Sequence, residues 1–236
     1  MEDQQTISSF SAYLQTYWTY YLSLESRLLK TESYCAFSQK NSTAFSIEYL
    51  TLLLAVCGEI DSLAKAIGMY HFPETDLAKC QINKWGYYLN SAFPDLKDHV
   101  LEFKNGYQFR PFGGWQLTIK QNKRGQQIYL NTENSKNPTW WTDYNKVKHS
   151  RASIDSSRGL TNYEKANQVN VIESMGALFL LNRLMMKKLN EDAYQTIDRS
   201  KLFKLCDSMD ETETSIHYGS RGVPLQTIRR GPHARI

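Results

Sequence analysis

Apolar residues in the first part of the chain recur at three- and four-residue steps. Phe10, Leu14, Tyr17, Tyr21, Leu24 and Leu28 fall on one stripe, and residues 5–30 contain neither Gly nor Pro. That spacing predicts an amphipathic helix from about Gln5 to Lys30. A second helix is predicted from about Thr43 to Met69, with Ile47, Leu50, Leu53, Leu54, Cys57, Ile60, Ala64 and Ile67 on one broad face. Gly68 and Pro73 supply its stop. Thr75 is placed to cap a third helix that runs to about Ala92 and ends before Pro94.

The pattern changes between Asp98 and Lys136. Asn105-Gly106 lies between alternating flanks, Gly113-Gly114 breaks the chain again, and Gln116–Lys120 and Gln127–Leu130 suit strands. This stretch reads as a small β-hairpin insertion, too short to bury a core of its own. Helix resumes with Asn137 as cap and Pro138 in the first turn. After a Ser/Arg/Gly-rich loop, the capping box Thr161-x-x-Glu164 opens a long helix to about Leu189, with Ala166, Val169, Ile172, Met175, Phe179 and Leu184 inward. A short helix is expected over Arg199–Cys206, and residues 207–236 read as a tail without a core of its own. The fold class expected is therefore mainly α: one antiparallel helical-bundle domain over residues 1–206, with the β-rich insertion at about 98–136.

Composition narrows the function classes. Hydrophobic residues are 41% and charged residues 22%, ordinary for a globular chain, while aromatic residues reach 13% with 15 Tyr and 5 Trp. Rings supply much of the packing surface. The net charge of +4 permits an anionic partner without demanding one. Four scattered cysteines form no C-x-x-C pair, which argues against a zinc ribbon or a thioredoxin motif. The acidic, polar start MEDQQTISSF is unlike a signal peptide, and the longest apolar run is Met175 to Leu181. Cytoplasmic residence and no membrane association are expected. There is no Gly-x-Ser-x-Gly or Walker run, and His71 and His99 lack partners at metal-ligand spacing. No metal or other cofactor is expected.

The densest chemical pattern is Trp140-Trp141-Thr142-Asp143-Tyr144-Asn145-Lys146-Val147-Lys148-His149-Ser150-Arg151. On a helix Trp141, Asn145 and His149 share a face, and Tyr144 and Lys148 form the next row. Imidazole, ammonium, amide and phenol then converge, with the Arg151 fork just beyond, so the face could bind an anion and move a proton near neutral pH. The same residues would equally serve as a buried polar network with the two tryptophans in the core. A second group is Glu59, Asp61 and Lys65. Asp61 and Lys65 are an i,i+4 pair, and Glu59 interrupts an apolar run and calls for a cationic partner such as Lys148, His149 or Arg151. Arg110, in Phe109-Arg110-Pro111-Phe112-Gly113-Gly114-Trp115, marks a loop friendly to phosphate or a turn whose rings pin the insertion to the bundle. The basic residues of the tail (Arg221, Arg229, Arg230, His233 and Arg235) form a modest patch.

Tyr144-Asn145-Lys146-Val147-Lys148-His149 resembles the motif of the HEPN superfamily (higher eukaryotes and prokaryotes nucleotide-binding domain), in which Arg, a polar residue, a few variable residues and His share one helix. The acidic helix with Glu59, Asp61 and Lys65 and the later ANQVNVIESMGALFLLNRL helix extend the resemblance over about Thr43 to Leu189. It implies a helical bundle that binds RNA or cuts it without metal, in phage defence or a toxin–antitoxin system. It also implies a homodimer, or a complex with an antitoxin or defence partner. His149 would manage protons, Lys148 and Arg151 would steady phosphate charge, Asn145 would orient the substrate or the imidazole, and Glu59 would hold the cation in place. Arg110, Lys65 and Asp61 would assist substrate binding. One departure is clear: Tyr144 stands where the family has Arg, and a phenol carries no fixed positive charge. That leaves a non-catalytic interaction module as the alternative.

Overall fold

The computed structural model describes residues 7, 9–156, 159–197 and 199–206. The expected tail at 207–236, with its basic patch, lies outside the described residues.

The chain is mainly α, as the periodicity predicts. Its first helical rod has three parts: α1 (Phe10–Tyr13), a wide π-helical turn (Leu14–Trp18) and α2 (Thr19–Thr31). Ser9 caps it by accepting from the Ala12 N–H. Helix α3 (Ile47–His71) begins on Ser46, whose hydroxyl accepts from the Tyr49 N–H. Ile47, expected inward, is 74% exposed, because it occupies the first turn ahead of the packed stripe.

Leu52, Leu53, Val56, Cys57, Ile60, Leu63 and Ile67 of α3 are fully buried. They pack against the central helix α6 (Gln168–Leu189), where Val171, Met175, Leu178, Leu181 and Met185 are also fully buried. Cutting any of the large ones to Ala would cost about 2–5 kcal/mol. Helix α6 is long and apolar enough to cross a bilayer by length and composition, but 89% of its most apolar window is buried inside this core.

Three of the expected boundaries move. Residues 72–80 form an irregular loop, and the third helix, α4 (Ile82–Ala92), starts only after it, with Gln81 at the cap position. Asn137 is no cap: its Oδ1 accepts from Trp115 Nε1 (3.1 Å) and Asn131 Nδ2 (3.2 Å), and Pro138 takes the cap position of α5 (Thr139–Ser150). Both halves of the Thr161–Glu164 capping box form, but they close a single 3₁₀ turn (Asn162–Lys165). The long helix waits for Asn167, whose side chain accepts from the Asn170 N–H.

The insertion divides in two. Strands β1 (Leu101–Phe103) and β2 (Gln108–Phe109) pair antiparallel, and β3 (Leu117–Gln121) and β4 (Gln127–Asn131) form a separate hairpin against α4. A short hairpin of β5 (Ile154–Asp155) and β6 (Leu160–Thr161) follows α5, and the brief α7 (Glu191–Tyr194) follows α6.

The helix expected at Arg199–Cys206 is instead a strand, β7 (Phe203–Leu205), which pairs with β1 in register Leu101↔Leu205 and Phe103↔Phe203. Phe203 and Leu205 are buried and Lys204 is exposed, the period of a half-buried strand. The buried carboxylate of Glu25 on α2 fixes its approach, accepting from the Tyr21 and Ser200 hydroxyls and from the Lys201 and Leu202 N–H groups.

Aromatic rings lock the insertion to the helices. Trp85 of α4 meets Trp115 and Trp141 edge-on at 5.5 and 5.4 Å, Phe112 stacks on Trp115, and Trp140 Nε1 donates to the Pro111 carbonyl. Gly86 makes this approach possible, since a Cβ there would lie 2.4 Å from the Trp115 ring.

Candidate functional site

Helix α5 has two polar faces with different fates. One is buried: Lys165, from the 3₁₀ turn, is 1% exposed, and its ammonium contacts Asp143 Oδ1 (3.2 Å) and Asp155 Oδ2 (2.6 Å). Asn170 Nδ2 donates to Asp143 Oδ2 (3.1 Å), and Lys146 also reaches Asp155 (2.9 Å). A buried lysine needs such company. The network ties α5 to the start of α6 and to the β5–β6 hairpin, so it fixes the rotation of α5 about its axis.

That rotation turns the other face into an open cleft of about 480 Å³. Trp141, Tyr144, Asn145, Lys148 and His149 line it from α5. Gly58, Asp61 and Lys65 line it from α3, and Cys80, Gln81 and Ile82 from the approach to α4. Gly58, Asp61 and Lys65 are spaced by three and four, which puts them on one side of α3. An added Cβ at Gly58 would meet nothing within 4 Å, so the wall there is open.

The carboxylate of the cleft is already engaged. Asp61 Oδ2 accepts from Lys65 Nζ at 2.6 Å and Oδ1 from Trp85 Nε1 at 3.0 Å. Lys65 also reaches the Ala78 carbonyl at 3.4 Å. Lys148 is exposed and its ammonium lies 5.5 Å from the centre of the Tyr144 ring, a cation–π distance. Burial pushes the Tyr144 phenol above its ordinary range, and the adjoining Lys148 ammonium opposes the rise. Asn145 Nδ2 is returned to the Trp141 carbonyl (3.1 Å). His149 is exposed at the rim, and among the described residues its ring takes part in no ion pair or hydrogen bond. The Trp141 indole N–H, 94% of whose residue surface is buried (6% exposed), has no hydrogen-bond partner in the wall. Asp61 offsets Lys65, and among the described residues no carboxylate pairs with Lys148, which stands as positive charge beside an accessible imidazole.

Six of the expected site residues therefore share one cleft: Asp61, Lys65, Tyr144, Asn145, Lys148 and His149. Glu59 does not. Two residues from Asp61, it is turned about 200° around the helix and faces Tyr13 and Tyr17 of the first rod, where burial pushes its carboxyl up to about 7. It pairs with none of the α5 cations. Arg110 is also elsewhere, its Nε donating to the Asp98 carbonyl (3.3 Å), and Arg151 is exposed beyond the end of α5, outside the cleft lining.

Gly58, Cys80, Gln81, Ile82 and the Trp85 bond to Asp61 join the site without having been expected from the sequence. The first carries a signal in its spacing to Asp61; Cys80 and Gln81 come from a loop whose path no local pattern announces, and Ile82 and Trp85 from the first turn of α4, which that loop positions. Burial pushes the Cys80 thiol up, against the pull of Lys65 and Lys84. Among the described residues no group of three or more His, Cys, Asp or Glu is arranged to hold a metal ion.

No protein-family model, curated protein or solved structure matches this chain. The cleft has to be read from its own chemistry.

Proposed function

We propose that the cleft between α3, α4 and α5 binds an RNA phosphodiester and that the protein is a metal-independent endoribonuclease with a HEPN-like antiparallel bundle. A cytoplasmic role in phage defence or as the toxin of a toxin–antitoxin pair, as a homodimer, belongs to the same proposal. The observation that carries it is His149, solvent-open and unpaired, on the same wall as the uncompensated Lys148 ammonium.

In this reading the ribose 2′-oxygen forms a bond to the adjacent phosphorus and the bond from phosphorus to the 5′-oxygen breaks. His149 takes the 2′-hydroxyl proton or supplies one to the departing 5′-oxygen, and a second His149 in a dimer or water serves the other step. Lys148 offsets the charge that grows on the phosphate oxygens, the role the resemblance gives to Arg. Asn145, the Tyr144 hydroxyl and the Trp141 N–H are neutral donors on the same wall.

The test is cleavage of labelled RNA in EDTA. Wild type is expected to leave 2′,3′-cyclic phosphate and 5′-hydroxyl ends, and His149→Ala to lose about 10²–10⁴-fold in rate with an unchanged circular dichroism spectrum. Equal cleavage by both proteins, or by neither, removes the nuclease reading. Tyr144 favours a second reading, because a neutral phenol stands where the resemblance expects a cation. Wild type that retains RNA without cutting it assigns the protein to that non-catalytic class.

A further inference from the structure

We propose that the β3–β4 hairpin is a second contact surface for single-stranded RNA, holding the strand where it leaves the cleft over the first turn of α4. This rests on reading the cleft as an RNA site, and deepens it by naming where the rest of the substrate lies.

The charge pattern comes first. Between Glu102 and Glu133 the sequence has no acidic residue, yet it carries Lys104, Arg110, Lys120, Lys123 and Arg124. Lys104 is neutralised by Glu32, and Arg110 rests on a backbone carbonyl. Lys120, Lys123 and Arg124 are exposed, and among the described residues their side chains make no ion pair or hydrogen bond. The cation of the cleft's α3 wall is different, since Lys65 is held by Asp61. Three uncompensated cations on one ordered element are a footprint for an anionic chain.

The hairpin is built to hold them still. Asn122 Oδ1 accepts from the N–H groups of Arg124 (2.9 Å) and Gln126 (3.0 Å), and the Asn122 N–H donates to the Gln126 carbonyl (2.9 Å). Gly125 takes the left-handed conformation (φ +73°) that closes the turn. Lys123 and Arg124 are thereby presented at the tip.

The path from the cleft is continuous. Ile82 lines the cleft, and the next residue, Asn83, donates through Nδ2 to the Tyr129 carbonyl of β4 (3.1 Å). One turn on, the half-exposed Tyr87 ring lies 5.5 Å from the Tyr129 ring. From Tyr129 the strand runs two residues, about 7 Å at ~3.4 Å per residue, to Gln127, where the turn that carries Arg124 begins. Aromatic rings followed by cations are the arrangement that holds single strands without reading sequence, the rings stacking bases and the cations meeting phosphates.

The experiment measures fluorescence anisotropy of a 12-nucleotide single-stranded RNA against salt, for wild type, Lys120→Gln/Lys123→Gln/Arg124→Gln, Tyr87→Leu and Lys148→Gln. The triple variant is expected to flatten the log–log salt slope by about 2 (three charges at about 0.7 each) and to weaken binding by about tenfold or more. Tyr87→Leu is expected to weaken it by about tenfold with the slope unchanged. Lys148→Gln removes a single charge and flattens the slope by about 0.7. If the triple variant binds like wild type while Lys148→Gln is weakened, the hairpin proposal is overturned and the cleft stands. If the triple variant is weakened and Lys148→Gln is not, the hairpin is an RNA surface and the cleft reading falls. Wild type that ignores this RNA, or holds a duplex of equal length as tightly, overturns the proposal.

Discussion

Lys165→Met keeps the aliphatic stem of a fully buried side chain and deletes only its charge. The ammonium faces two carboxylates, 3.2 Å from Asp143 and 2.6 Å from Asp155, with side chains 1%, 3% and 11% exposed respectively for Lys165, Asp143 and Asp155. Water cannot replace the lost partner at such depth, so the cost is that of breaking a buried pair, about 3–5 kcal/mol. Lys65→Met supplies the control. Its pair with Asp61 is just as short, at 2.6 Å, but the side chains are 16% and 34% exposed, and the expected cost is about 1 kcal/mol or less. In urea, with a slope of about 2–3 kcal/mol per molar, the midpoint of Lys165→Met falls by about 1–2.5 M and that of Lys65→Met by no more than about 0.5 M. Because the network sets the rotation of α5, the RNA affinity proposed for the cleft should fall with the Lys165 charge even under conditions where the variant is folded. A Lys165→Met midpoint no lower than that of Lys65→Met would refute the assignment of this network as the anchor of α5.

Glu59 gives a pH signature of opposite sign to a salt-bridged acid. Its carboxyl is pushed from 4.5 to about 7 by burial, so the folded state holds its proton more tightly than the unfolded chain. That contribution is complete below about 4.5 and is lost as pH rises through about 7. A fully shielded shift of this size is worth about 3 kcal/mol, and the solvent-facing part of the side chain reduces it to about 1–2. Glu59→Gln is therefore expected to gain stability over wild type at pH 8.5 relative to pH 5, and a gap that does not change with pH in denaturant melts contradicts this. Gly86→Ala drives a methyl to 2.4 Å from the Trp115 ring and 2.7 Å from Leu117, at a cost of about 1–3 kcal/mol. Gly58→Ala meets open space on the cleft wall and is expected to stabilise α3 by about 0.5–1 kcal/mol. Thermal melts that move both glycine variants in the same direction would exclude this account.

The helices legible in the sequence are those whose apolar stripes are long, namely the first rod, α3 and α6. The α5 face was legible because i, i+4 spacing is a local rule, and Trp141, Asn145 and His149 do line one wall. Glu59 and Asp61 show where local reading stops: they are neighbours in sequence, but the helical phase sends them to opposite sides of α3. Asp143 and Lys165 were invisible as a pair because their contact joins two elements across a turn. Local pattern predicts helix where Phe203–Leu205 forms a strand, because the residues that make it a strand, Leu101 to Phe103, lie about a hundred positions upstream. The capping box at Thr161 formed as its chemistry requires, yet Ala166 leaves helical geometry (ψ 60°), so the box could not begin the long helix.

All five tryptophans are inside the protein, none more than 6% exposed, and four of them touch ring to ring in the order Trp115, Trp85, Trp141, Trp140. Buried away from water, the indoles should emit at short wavelength, and at this separation their transitions couple and should give intense near-ultraviolet dichroism. Trp141 lines the cleft and Trp85 holds Asp61 there, so a nucleotide entering that space lies next to the chromophores. The protein carries its own optical gauge of occupancy, and quenching titrations can report binding with no label attached.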